Sequence, residues 1–281
     1  MLLWAGLGLA LVSAIAINWA YTLEHDAANR LPALSARHPI AAARRLVSSR
    51  PWLIGLSLET GGWIVYLAAL RLAPLALVQA VGASGIAVLA LIQTKGHLSR
   101  LSRRLQGAVV LAVTGLFLLA LSLIGPHPAD HAPPGAAAAL WLGACFAAAA
   151  AITSVHIRGK RAATLGLAAG LLFAGGDISA RLVVFGGLWL LAVFPLIAAY
   201  ALGSIELQSA FQRGDALTAA GIATLATNAV PIAAGVVLFD ETLPGGIYRI
   251  FQLAAFTAVV LSAVMLTGSR ARSQQQPANP A

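Results

Sequence analysis

The chain has 281 residues, of which 59% are hydrophobic and 10% are charged, and its mean hydropathy is +0.86. Soluble domains carry about 25% charged residues, so this composition excludes a cytosolic enzyme, a disordered chain and a fibrous protein. The net charge of +9 would suit a nucleic-acid partner, but the placement of the cations described below points to a lipid bilayer instead. The single cysteine, Cys145, lies in an apolar run and predicts neither a disulfide framework nor a zinc framework.

Nine apolar stretches predict transmembrane helices, because a helix needs roughly 20 mostly apolar residues to cross a bilayer. They lie at about 2–23, 51–72, 74–94, 105–124, 136–156, 164–186, 188–211, 216–239 and 246–267. A segment in lipid must satisfy its own backbone hydrogen bonds. The expected fold is therefore an all-α polytopic membrane protein with nine spans.

Two polar segments complete the predicted organisation. The linker at 24–50 contains Arg37, His38, Arg44 and Arg45, which favour a surface segment such as an amphipathic helix over a tenth span. Residues 268–281 are polar and proline-containing, and we expect them to be a disordered cytoplasmic tail. The chain is then divided into a first membrane half at 1–124, which includes the linker, a second half at 136–267, and the tail.

The basic residues predict how the chain is oriented. With nine spans, all but three of the 18 Lys and Arg residues fall on one face of the bundle, the exceptions being Arg71, Arg181 and Arg249. The positive-inside rule makes the crowded face cytoplasmic, which places the N-terminus outside and the C-terminus inside. We therefore expect a multi-pass protein of the cell membrane whose cations meet anionic lipid rather than nucleic acid.

The two halves contain a weak internal repeat. The segment at 66–77 corresponds to the segment at 207–218: in each, a helix ends near a charge, turns and starts another Ala-rich helix. Spans two and three then correspond to spans seven and eight, and a shift of five spans inverts one copy across the membrane. Chance similarity between Ala- and Leu-rich helices is the alternative.

Four segments resemble the drug/metabolite transporter superfamily of the EamA type: Tyr66–Ser84, Leu207-Gln-Ser-Ala-Phe-Gln-Arg-Gly214, Asn228-Ala-Val-Pro231 and Leu238-Phe-Asp-Glu-Thr-Leu243. The first is most similar to the nine-span NIPA-like branch, with halves of four and five helices. The resemblance implies a secondary transporter of a small molecule or ion that works by alternating access and needs no cofactor. Its NIPA-like character implies a divalent cation such as Mg²⁺ as the alternative substrate. The first span lacks the embedded glutamate of small multidrug transporters, and we expect its first acid, Glu24, to lie at the cytoplasmic boundary.

Acids inside membrane spans are the first candidate functional residues, because an ionisable group at the membrane centre costs about 2.5–3.5 kcal/mol. Glu59 lies in the second span and is followed by two glycines; Glu206 lies in the seventh span. If the repeat holds, both acids could flank one central cavity and bind a cation or a proton. The alternative is that each is a neutral or Arg-paired carboxyl group that stabilises the bundle.

Other polar residues give weaker predictions. Asp177 and Arg181 are four residues apart in a helix and are expected to form a structural ion pair, although Asp177 remains a binding candidate. Gln79 and Asn228 could line a solute path, with hydrogen bonding between helices as the favoured alternative. Gly166 and Gly170 predict a close helix contact rather than a nucleotide loop.

The sequence does not predict an enzyme. His127, Asp130 and His131 could gather a metal in an outer loop, but an ordinary solvated loop is favoured. No His-Glu-x-x-His or Gly-x-Ser-x-Gly motif occurs, so hydrolytic chemistry lacks its usual residues. The rival to a carrier is a non-transporting membrane scaffold or accessory subunit, and a homodimer is left open.

Overall fold

The structure, a computed structural model, describes residues 2–36, 38–72, 81, 85–122, 132–155, 160–239 and 246–267. Ten α-helices occur in these ranges: α1 Leu2–Ala28, α2 Pro39–Val47, α3 Arg50–Leu72, α4 Gly85–Gln93, α5 Arg103–Ser122, α6 Gly135–Ser154, α7 Arg161–Val184, α8 Val193–Phe211, α9 Ala216–Leu238 and α10 Ile247–Thr267. Two 3₁₀ segments lie at Leu98–Arg100 and Gly187–Ala192. The predicted all-α class is confirmed for this part of the chain.

Five helical segments are long and apolar enough to cross a membrane, judged by length and composition. They are Trp4–Ala28, Gly135–Ser154, Arg161–Val183, Gly187–Phe211 and Ala216–Gly235. This is the pattern of a membrane protein. Each of the other four predicted spans also contains a described helix. The predicted tail at 268–281 lies outside the described residues.

Small residues allow the principal helix pairs to approach closely. Gly166 and Gly170 of α7 face α9, where a Cβ added to either would lie 2.5 or 2.6 Å from the carbonyl oxygen of Ala219 or Ala223. The predicted close helix contact at these glycines is therefore confirmed. In the same way, α1 packs along α3, and α5 packs along α10.

The linker contains the short helix α2, which has an apolar face and a basic face. Ala42 and Leu46 are buried, whereas Arg44 and Arg45 are exposed. The buried face packs with Leu34. The guanidinium of Arg45 donates to the carbonyl of Ala33 at 2.7 Å, so α2 is fixed to the segment that follows α1.

The first helix extends beyond its predicted end. It continues to Ala28, and Glu24 is only 2% exposed. The expected place of Glu24 at the cytoplasmic boundary of the membrane stays a prediction, whereas its burial within the protein was not predicted. Its carboxyl group faces other helices rather than solvent, and polar side chains on those helices, described below, accompany it.

Candidate functional site

Three helices bring four polar side chains together, and we call these residues the carboxyl cluster: Tyr21 and Glu24 of α1, Glu59 of α3 and Gln208 of α8. The side-chain amide of Gln208 donates a hydrogen bond to Glu24 Oε2. The Glu59 carboxyl group is close enough to the Glu24 carboxyl and the Tyr21 hydroxyl for the three groups to interact electrostatically. Tyr21 and Glu24 are three residues apart, so both project from one face of α1.

Glycines in α3 make room for this cluster. A Cβ added to Gly55 would lie 2.6 Å from Glu24 Cγ, and one added to Gly62 would lie 2.8 Å from Ile17 Cγ1. The hydroxyl of Ser13 also donates to the carbonyl of Gly62 at 2.8 Å. The backbones of α1 and α3 therefore approach on both sides of Glu59, as small residues permit in helix pairs.

The cluster has more hydrogen-bond acceptors than donors. Glu24 and Gln208 are each 2% exposed. The buried oxygens Glu24 Oε1 and Gln208 Oε1 find no donor among the described residues. An unpaired buried oxygen is costly, and two ionised carboxylates in contact would also repel one another. A single proton or cation between these oxygens would relieve both costs.

Glu206 lies on the opposite side of α8 from Gln208. Residues two apart are separated by about 200° around a helix. Glu206 is 2% exposed, accepts a hydrogen bond from Thr153 at 2.7 Å, and is acted on electrostatically by Arg161 and Arg213. The expectation that Glu59 and Glu206 flank one cavity was therefore wrong, because helical geometry directs the two acids to different neighbours.

Asp177 has a different partner from the one predicted. It accepts a hydrogen bond from the hydroxyl of Tyr200 on α8. The guanidinium of Arg181 instead lies 4.0 Å from the centroid of the Phe239 ring. The predicted Asp177–Arg181 ion pair was therefore wrong. The i, i+4 spacing allowed the contact, but partners on neighbouring helices compete for both side chains.

The remaining polar candidates do not join the carboxyl cluster. Asn228 is half-buried, and its amide donates to the carbonyl of Thr224 one turn earlier, at 2.7 Å. Gln79 lies outside the described residues, as do His127, Asp130 and His131 of the predicted outer loop. The helix of Asn228 does contain Pro231, which removes one backbone donor in mid-helix.

Sequence reasoning missed Tyr21, Glu24 and Gln208. One signal was present: Tyr21 and Glu24 continue the helical spacing of the first apolar stretch without a helix-breaking residue. Gln208 lay in the repeat segment but carried no sign of its partner, because contacts between distant segments cannot be read from local spacing.

The described ranges contain no group of three or more His, Cys, Asp or Glu residues that could hold a metal ion. The cluster is thus a pair of acids with neutral oxygen partners. No family model, curated protein or solved structure shows significant similarity to the chain.

Proposed function

We propose that the protein is a secondary carrier of the drug/metabolite transporter type, which moves a small solute across the cell membrane by alternating access. In this proposal nine spans form two inverted halves, with the N-terminus outside and the C-terminus in the cytoplasm. The observation that carries the proposal is the position of the carboxyl cluster. Glu24 and Glu59 belong to the first half, whereas Gln208 belongs to the second.

The position of these acids between the two halves favours a functional role over a purely structural one. Buried acids in membrane helices lower stability unless they are paired, and an apolar side chain at either position would pack the helices without that cost. Carriers built from inverted repeats bind substrates and coupling ions where the repeats meet. A rearrangement of one half against the other would change the surroundings of both carboxyl groups.

The helix packing supports two corresponding halves. Contacts of α1 with α3 and α4 in the first half match contacts of α7 with α8 and α9 in the second. The neighbours α4 and α5 likewise match α9 and α10. The contacts of α5 with α10 and of α4 with α9 join equivalent helices of the two halves. This is the pattern expected of a pseudo-two-fold arrangement.

Individual residues support the same correspondence. In the register that pairs the segments at 66–77 and 207–218, Gly62 corresponds to Gly203 and Glu59 to Tyr200. Gly62 closely approaches Ile17, and Gly203 closely approaches Phe173.

Those glycine contacts also align α1 with α7, so that Tyr21 corresponds to Asp177. Each half then holds one tyrosine–carboxyl pair at equivalent places. Tyr21 interacts electrostatically with Glu59 in the first half, and Tyr200 donates to Asp177 in the second. In the first half the tyrosine is on α1 and the acid on α3, whereas in the second half the acid is on α7 and the tyrosine on α8.

The cluster favours a positively charged ligand, since its free groups are oxygens. A divalent cation such as Mg²⁺ is the runner-up substrate. Magnesium prefers carboxylate oxygens and retained water in octahedral geometry, and Glu24 and Glu59 would supply only two carboxylates. Asp177 and Glu206 lie apart from the cluster and are assigned no part in binding.

Solute flux in proteoliposomes tests the carrier. Purified protein is reconstituted and screened against labelled organic cations, neutral metabolites and Mg²⁺, in parallel with Glu59→Gln and Glu206→Gln. We expect wild type to move at least one class of solute. Glu59→Gln should reduce that flux about tenfold or more, equivalent to ~1.4 kcal/mol, while the matched Glu206→Gln retains most of it.

Thermal unfolding of the same preparations separates a carrier from a scaffold. The carrier requires that Glu59→Gln lose flux while its unfolding temperature stays close to that of wild type. A wild type that moves none of the solutes, together with variants that change only folding or partner binding, would instead identify a non-transporting membrane protein.

A further inference from the structure

Gln208 of α8 and Gln212, the C-cap residue of α8, join this helix to α1 and to the segment that follows α1. Gln208 binds Glu24. One turn later, the Gln212 amide donates to the carbonyls of Ala28 at 2.8 Å and Leu31 at 3.1 Å. Its side-chain oxygen accepts from the backbone N–H of Leu34 at 2.8 Å. We call this set of contacts the α1–α8 seam.

Further contacts join the two halves near the C-terminal ends of α1 and α8. A ring nitrogen of His25 lies 3.0 Å from the carbonyl oxygen of Gly214, and Arg213 donates to the carbonyl of Leu34 at 3.4 Å. The seam therefore fixes the first half to the second at this end of the bundle. In the topology proposed above, this is the cytoplasmic end.

The corresponding pair in the other copy is different. In the repeat register, α1 corresponds to α7 and α8 corresponds to α3. Within the described ranges, α3 and α7 make no packing contact comparable with the one between α1 and α8. Among the described residues, the halves are therefore joined by α1 and α8 on the seam side, the arrangement expected when one side of an alternating-access protein is closed.

The Gln208–Glu24 hydrogen bond leaves one oxygen of each side chain without a donor, namely Glu24 Oε1 and Gln208 Oε1. A proton on Glu24 would turn an acceptor into a donor. The protonated Glu24 Oε1 would donate a hydrogen bond to Gln208 Oε1 or to the Glu59 carboxyl group. The proton would also reduce the charge of the acid pair from −2 to −1. If both Glu24 and Glu59 are ionised, their buried oxygens need water molecules as hydrogen-bond donors.

We propose that the α1–α8 seam is a proton-dependent gate, closed while the Glu24–Glu59 pair holds one proton and opened toward the cytoplasm when that proton leaves. The inference rests on the proposed carrier, to which it adds the chemical identity of the coupling ion. The step is a single transfer: the O–H bond of the Glu24 carboxyl breaks, and entering water takes the proton. The two carboxylates then remain hydrated in the opened seam.

The titratable and charged groups around the pair define the controls. Tyr21 and Glu24 face it from α1 and Glu59 from α3, and neutral Gln208 faces it from α8. His25, Asp26 and Arg213 lie at the outer end of the seam. A pH response that came from His25 would persist when Glu24 cannot ionise.

Distance measurements between spin labels test the gate. Arg30→Cys and Lys160→Cys, both at exposed positions, are labelled in a Cys145→Ala background of the full chain in lipid nanodiscs. Distances are recorded from about pH 4 to about pH 9, a range that includes the reference pKa values of glutamate and histidine. We expect the longer-distance population to grow as pH rises.

Two acid variants form a matched pair. Glu24→Gln keeps both a donor and an acceptor for Gln208 and has no proton to lose, so its short distance should persist at every pH. Glu206→Gln removes a buried acid from the other side of α8 and should respond to pH like wild type. Gln208→Leu, which removes the bond itself, should populate the longer distance even at the acidic end.

The outcomes separate the gate from the carrier. A wild-type distance that ignores pH, or a response that survives in Glu24→Gln, overturns the gate even if the protein transports solute. A protein that moves no solute while its distance responds to pH as described contradicts the carrier and supports the gate. If Glu24→Gln unfolds, the absence of an acidic-pH longer-distance population in Gln208→Leu overturns the gate.

Discussion

The side-chain amide of Gln208 donates a hydrogen bond to the carboxyl group of Glu24, and this contact joins α8 of the second half to α1 of the first. Both side chains are 2% exposed. A buried polar bond across helices limits how those helices can pack. It also makes the junction sensitive to the charge of one carboxyl group, on which the predictions for Gln208 depend.

Gln208→Glu should destabilise the protein at neutral pH and much less at acidic pH. The substitution replaces a donor by a third carboxyl group beside Glu24 and Glu59, so charge repulsion adds to the lost hydrogen bond. Protonation at low pH removes the repulsion. The free energy of unfolding, measured in detergent at about pH 5 and about pH 8, should fall by roughly 1–3 kcal/mol more at the higher pH.

Gln208→Met is the control for that charge effect. It removes the amide without adding a carboxyl group and should lower stability by a similar amount at both pH values. Equal losses for Gln208→Glu at the two pH values would show that the Glu24–Glu59 environment does not discriminate charge, contrary to the described geometry.

Tyr200 and Asp177 should be energetically coupled. Tyr200→Phe leaves the half-buried Asp177 without its hydroxyl donor and should lower stability by roughly 1–3 kcal/mol. The same change in an Asp177→Leu background removes no hydrogen bond and should cost much less. A double-mutant cycle from thermal unfolding should give a coupling free energy of about 0.5–3 kcal/mol, and a value near zero would exclude this contact.

Gly166→Ala should weaken the packing of α7 against α9. Its Cβ would lie 2.5 Å from the carbonyl oxygen of Ala219, and that backbone atom cannot move without shifting the helix. We expect a loss of about 1–3 kcal/mol in the free energy of unfolding. Gly143→Ala, in α6 with nothing within 4 Å of the added Cβ, is the control and should be neutral or slightly stabilising.

Sequence reasoning predicted the helical elements better than their contacts. Long apolar stretches predicted membrane helices because bilayer thickness and backbone hydrogen bonding constrain a single segment. The close contact at Gly166 and Gly170 was also predictable, because two small residues four apart permit a close helix approach. The end of α1 was not, because the partners that bury Glu24 belong to α3 and α8.

The candidate site was predicted only in part. Glu59 was identified from its type and its place in an apolar stretch, and the structure puts it in the carboxyl cluster. Glu206 satisfied the same criteria but faces Thr153. Local spacing puts Glu206 and Gln208 on opposite sides of α8, but it does not specify which of these sides faces α1. For the same reason the choice of Asp177 between Arg181 and Tyr200 depends on how α7 packs against α8.

The most direct measurement of the central claim is solute flux in proteoliposomes that contain Glu24→Gln or Glu206→Gln. Both variants neutralise one buried acid, but only the first changes the cluster between the halves. We predict that Glu24→Gln loses about tenfold or more of the wild-type flux, a change of ~1.4 kcal/mol, with little change in unfolding temperature, and that Glu206→Gln retains most of the flux. Full flux through Glu24→Gln, or equal losses in the two folded variants, would contradict a carrier whose working site is the carboxyl cluster.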